Sequence, residues 1–88
     1  MSIKVTNNCS YEIQVAINQW GNNGDTGVFP IIPGNSESWD RTDERGFIMI
    51  VEKVGAKSPY YVNKGSEILV ANDGVKNHGV ILRPIVDN

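Results

Sequence analysis

The sequence has one cysteine, one histidine and no cluster of Lys or Arg. A lone thiol, Cys9, cannot close a disulfide within the chain, which separates it from small secreted domains stapled by such bridges. The expected role of Cys9 is that of a small buried hydrophobe. No basic stretch could track a phosphate backbone, and the net charge is -2, so nucleic acid is not an expected partner. Nothing approaches the ~18 apolar residues of a membrane span. The opening Met1-Ser2-Ile3-Lys4 lacks the roughly 7–15-residue apolar stretch of a signal peptide. The expectation is a cytoplasmic product, or one exported without a classical signal peptide.

Catalytic and metal chemistry are equally short of material. The one histidine, His78, lies between Asn77 and Gly79 and reads as a solvated turn residue. A nucleophile–base–orienter constellation has no other imidazole to draw on. One Cys and one His do not make a zinc site. Asp40, Asp43 and Glu44 alternate with Arg41 and Arg45, which reads as a salt-bridged surface turn rather than a carboxylate pair facing a cleft. The chain is therefore expected to be non-catalytic, with no catalytic residue, no metal and no cofactor.

What the sequence does have is alternation with a period of two. Ile3 and Val5 alternate with Lys4 and Thr6. Tyr11, Ile13, Val15 and Ile17 alternate with Glu12, Gln14, Ala16 and Asn18. Each is a strand with one wet face. Pro30 inside the apolar run Val28 to Ile32 marks an edge or bulged strand. Ser36 to Thr42 is a further strand, with Trp39 and Arg41 on the face opposite Ser38, Asp40 and Thr42, and Trp39 in the core. Phe47 to Val54, the most apolar stretch, reads as a central strand buried on both faces. Gly55 to Pro59 reads as a turn and Pro59 to Val62 as a short strand. Glu67 to Ala71 is another strand, followed by the hairpin signal Asn72-Asp73-Gly74 and a last strand at Val80 to Arg83.

No apolar stripe of helical spacing runs for about ten residues without Gly or Pro. The 88 residues are expected to form a single all-β domain, a small antiparallel β-sandwich of about six to eight strands with no substantial helix. A core this small is often completed by a second subunit. The apolar run Val80 to Leu82 and the pair Ile85-Val86 exceed what one sheet pair can bury by alternation. They point to a homo-oligomer, a symmetric dimer by preference.

Three stretches resemble known families. Ile3-x-Val5-x-Asn7-x-Cys9-Ser10-Tyr11-x-Ile13-x-x-Ala16 resembles the opening strand pair of thaumatin-like β-sandwich proteins. Pro33-Gly34-x-Ser36-x-Ser38-Trp39 resembles the turn and strand that follow there, and the aegerolysin cytolysins open comparably. The resemblance implies a β-sandwich with a defence-type binding role. It carries over no site, because the disulfides and the acidic cleft of thaumatin-like proteins have no counterpart here. Asn22-Asn23-Gly24-Asp25-Thr26 also resembles the calcium loop of βγ-crystallin domains. Gly27 stands where that family has serine, however, and its aromatic-x-glycine signature is missing, so a flexible hairpin loop is the reading adopted.

The candidate ligand-binding residues are Trp20, Asn22, Asn23, Asp25 and Tyr60. Trp20 ends a strand and opens a Gly/Asn loop. Tyr60 and Tyr61 are adjacent on a strand, so one ring is core and the other wet. A ring beside amides and carboxylates suits a sugar, whose apolar face it covers while the polar groups bond the hydroxyls. The sequence therefore reads as a lectin-like recognition protein that binds carbohydrate. The alternatives are a membrane-active cytolysin or lipid binder, whose aromatics would sit at a bilayer interface, and a protein-binding inhibitor or structural subunit.

Overall fold

The computed structural model describes residues 2–19 and 27–85. Among them are nine strands: β1 (Ser2–Asn8), β2 (Ile13–Ile17), β3 (Phe29–Ile31), β4 (Ser36–Asp40), β5 (Phe47–Lys53), β6 (Ala56–Val62), β7 (Glu67–Ala71), β8 (Gly74–Asn77) and β9 (Val80–Leu82). They form two sheets, ordered β4-β1-β7-β8-β9 and β3-β2-β5-β6. No helix among the described residues is long and apolar enough to cross a membrane.

The alternation places one side of each strand inside. Ile3 and Val5 of β1, Ile13, Val15 and Ile17 of β2, Phe47, Met49 and Val51 of β5, and Ile68 and Val70 of β7 join a single hydrophobic cluster between the sheets. Cys9 and Trp39 belong to it too, as expected from the sequence. Trp39 meets Phe29 edge to face, with ring centroids 5.8 Å apart, the arrangement the ring quadrupoles favour. Among the described strands every pairing is antiparallel except β1 with β7, which run parallel. The chain can make that pair because five strands and their crossings separate β1 from β7.

The all-β fold expected from the alternation is the one observed, its described strands numbering nine because β8 (Gly74–Asn77), a short segment with one inward apolar residue, Val75, adds to those read from the sequence. Three other expectations need correction. β5 is buried on one face only: Ile48 is exposed and Ile50 half-buried, because the described residues leave the outer side of its sheet uncovered there. The turn expected at Gly55 to Pro59 is two residues, Val54 and Gly55, and the strand resumes at Ala56. Pro59 is accommodated because β6 is an edge strand. Finally, Arg41 is no part of a surface turn. It is buried, and its guanidinium donates to the carbonyls of Ile17 at 3.0 Å and Asn18 at 2.9 Å.

Polar groups also hold the sheets together. Asn7 is fully buried on the inner side of β1. Its Nδ2 donates to the carbonyls of Tyr11 and Ile31, at 2.9 and 2.7 Å, and its Oδ1 accepts from the Cys9 amide at 2.7 Å. A strand end, a bend and a strand of the facing sheet are thereby joined by one side chain that uses both its amide hydrogens and its oxygen.

Candidate functional site

Of the five candidate residues, Trp20, Asn22, Asn23 and Asp25 lie outside the described residues. The fifth, Tyr60, is 7% exposed and belongs to the core. It shares strand parity with Val62, which is buried, and burial raises its phenol pKa, partly offset by a hydrogen bond to Ser58. The wet ring of the pair is Tyr61, 49% exposed. As a surface platform the position therefore moves from 60 to 61, and the parity of Val62 is the sequence signal that separates the two.

Tyr61 stands on the outer face of the β3-β2-β5-β6 sheet, which the registers divide into three rows. Ile48 faces Tyr61. Ala16, Ile50 and Pro59 form the next row. Pro30, Gln14, Glu52 and Lys57 form the third. Two rows are mainly apolar and the third is mainly polar. Between the last two lies a concavity of ≈ 220 Å³ lined by Gln14, Ala16, Val28, Ile50, Glu52 and Lys57. The methyl group of Ala16 is the smallest side chain there, which makes the dip.

The ring of Tyr61 is held in place. Its hydroxyl donates to the Arg45 carbonyl at 3.1 Å. Gly46, at φ +89°, lies so close beneath the phenol that an added Cβ would collide with it. The preceding turn fixes that carbonyl. Asp43 accepts from the Arg45 amide at 2.8 Å, from Nε at 3.0 Å and from the guanidinium tip at 2.7 Å. These bonds from Arg45 hold the Asp43 carboxyl down to about 2. The Asp43–Arg45 part of the salt-bridged turn expected from sequence is thus present.

Asn18, just past β2, is fastened to the same end of the sheet. Asn18 Oδ1 accepts from the Ile48 amide at 2.7 Å, and the Asn18 amide donates to the Ile48 carbonyl at 3.3 Å. Ile48 is the cross-strand neighbour of Tyr61. The buried Oε1 of Gln19, next along, has no hydrogen-bond partner. Among the described residues the ion pairs are Asp43–Arg45 and Lys64–Glu44, so the Glu52 carboxylate and the Lys57 ammonium at the concavity are engaged in neither.

Among the described residues, Cys9 and His78 are held apart. Cys9 is buried and its thiol lies 3.6 Å from the Val70 carbonyl, near the end of β7. His78 packs at the other end, its amide donating to the Glu67 carbonyl at 2.9 Å and its Nε2 lying 3.0 Å from the Gly65 carbonyl. The length of β7 separates the two. His78 is exposed in a two-residue turn, as read from the sequence. It borders a second concavity, of ≈ 330 Å³, with Lys4, Thr6, Glu67 and Leu69. Among the described residues no group of three His, Cys, Asp or Glu could hold a metal ion. No family model, curated protein or solved structure matches the chain.

Proposed function

We propose that the protein is a non-catalytic recognition domain whose outer β3-β2-β5-β6 face binds carbohydrate. The observation that carries this reading is Tyr61, a ring half-open to solvent yet tethered through its hydroxyl and seated on Gly46. A surface aromatic that has already lost its rotamer freedom stacks on a ligand with little further ordering cost. The neighbouring rows supply what a sugar needs beside a ring. Ile48, Ile50 and Pro59 continue the apolar track. Gln14, Glu52 and Lys57 offer an amide, a carboxylate and an ammonium for hydroxyl groups. Asn18 is bonded to Ile48 on this face, and Trp20, Asn22, Asn23 and Asp25, which follow it in the sequence, remain proposed ligand-binding residues.

A glycan array, followed by amide chemical-shift titration with the oligosaccharides that bind, tests the reading. Shifts concentrated at Tyr61, Ile48, Gln14 and Glu52 are expected. A folded sample that binds no glycan, or one whose shifts fall on the β4-β1-β7-β8-β9 sheet, overturns it. Liposomes run in parallel identify the lipid-binding alternative by leakage or co-sedimentation.

A further inference from the structure

We propose that the free edge of β9 is a self-association surface, on which a second copy of this chain pairs antiparallel about Ile81. The two sheets have four edges among the described strands: β4 and β9 in one, β3 and β6 in the other. Three carry the devices that block edge-to-edge pairing. β3 is three residues long with Pro30 at its centre. β4 carries Glu37 and Asp40, with every residue but Trp39 exposed. β6 contains Lys57 and Pro59, and the Pro59 carbonyl is already occupied by the Ile85 amide at 2.8 Å. β9, Val80-Ile81-Leu82, has no charge, no proline and no covering segment among the described residues.

The backbone of β9 is oriented for pairing. Asn77 and Val80 flank the two-residue turn His78-Gly79 and are register partners. In such a hairpin the flanking pair exchanges both of its hydrogen bonds, so the next pair, Lys76 and Ile81, directs its groups away from each other. The amide and carbonyl of Ile81 therefore point to the open edge. The side chains there are apolar as well: Val80 is 68%, Ile81 69% and Ile85 44% exposed. Ile85, three residues past Leu82, is tied through its amide to the Pro59 carbonyl of β6.

A second copy fits this edge by symmetry. Antiparallel pairing about Ile81 sets Ile81 against its own equivalent and Val80 beside the partner's Leu82. It brings Arg83 opposite Gly79, so no like charges meet. The two-fold axis of an antiparallel pair stands perpendicular to the sheet. Both β3-β2-β5-β6 sheets then lie on the same side of one continuous sheet, with their outer faces looking the same way. The self-association stands whether or not that face binds sugar. If it does, the dimer presents two sites to one surface, and avidity follows.

Sedimentation equilibrium from micromolar to near-millimolar protein, with amide hydrogen exchange on the same samples, tests the proposal. Wild-type chain is expected to form a dimer, and the Ile81 amide to gain protection as concentration rises. Ile81→Pro removes an N–H that the β8–β9 ladder does not use, and should raise the dissociation constant about tenfold or more. Ile81→Lys keeps the N–H but places like charges opposite one another, and should do the same if the proline variant fails to fold. A wild type that stays monomeric throughout, a dimer whose Ile81 amide exchanges at the monomer rate, or a folded Ile81 variant that dimerises as well as wild type overturns it.

Discussion

The side-chain amide of Asn7 donates to the main-chain carbonyl of Ile31 at 2.7 Å, linking β1 of one sheet to the end of β3 in the other. The bond lies in the interior, where a carbonyl deprived of its donor loses water without compensation. The same side chain also serves Tyr11 and Cys9. One residue thus closes the β1–β2 bend and sets the spacing of the sheets above it.

Asn7→Ala is expected to destabilise the fold by about 3 kcal/mol, because it strands two carbonyls and one amide at once. Asn7→Asp is nearly isosteric but should cost at least as much at neutral pH. It turns the two donations into oxygen–oxygen repulsion and buries a charge. Urea denaturation checks both: the midpoint should fall with little change in slope.

Why some of this was legible in the sequence and some was not follows from the range of the forces. Alternation is local, so the inward positions of β1 and β2, and those of Trp39 and Cys9, could be read directly. The parallel pairing of β1 with β7 leaves no local mark, because it depends on which strands meet after the chain has crossed between sheets. β5 is not legible in this way because Ile48 and Ile50 are as apolar as core residues, and only the registers place them on the outer face with Tyr61. Arg41 was hard to place because a charged residue reads as exposed, whereas its planar donors here satisfy main-chain carbonyls at the end of β2. The candidate site was half legible: the Tyr60–Tyr61 opposition was evident, but which ring faced solvent needed the parity of Val62.

Val54 occupies the first position of the β5–β6 turn at φ 49°, followed by Gly55 at φ 82°. Both central residues of this tight turn need positive φ, and a β-branched residue pays a steric penalty there that Asn or Gly does not. Val54 is exposed and packs against little. Val54→Asn should therefore stabilise the domain by about 1 kcal/mol, raising Tm by roughly 4–8 °C for a chain of this size. Calorimetry decides the matter, and an unchanged or lowered Tm would show that the turn carries no such strain.

Asp43 gives a pH signature. Its pKa lies at about 2 because the side chain and amide of Arg45 both bond its carboxylate. The unfolded chain binds this proton near pH ~4. The pair therefore contributes its full stabilisation above that value and loses it as pH falls toward 2. Carboxyl-carbon NMR should place the Asp43 midpoint near the bottom of the accessible range. Arg45→Gln should return it to the ordinary aspartate value.

Tyr61 separates a binding ring from a structural one through a graded series. Tyr61→Phe keeps the ring and its seat on Gly46 but removes the donation to the Arg45 carbonyl. It should weaken glycan binding only a few-fold, by restoring motion to the ring, and lower Tm by a few degrees at most, since a surface hydrogen bond contributes about 1 kcal/mol or less. Tyr61→Ala removes the platform and should abolish detectable binding at a modest stability cost, because the ring is half-exposed. Tyr60→Ala is the control: it empties a core position and should cost ~3–5 kcal/mol whatever the ligand does. Trp20→Ala completes the set, since loss of affinity with Tm preserved joins the 20–26 segment to this face. If Tyr61→Ala retained wild-type affinity while Trp20→Ala lost it, binding would belong to the segment alone and the sheet face would be its support.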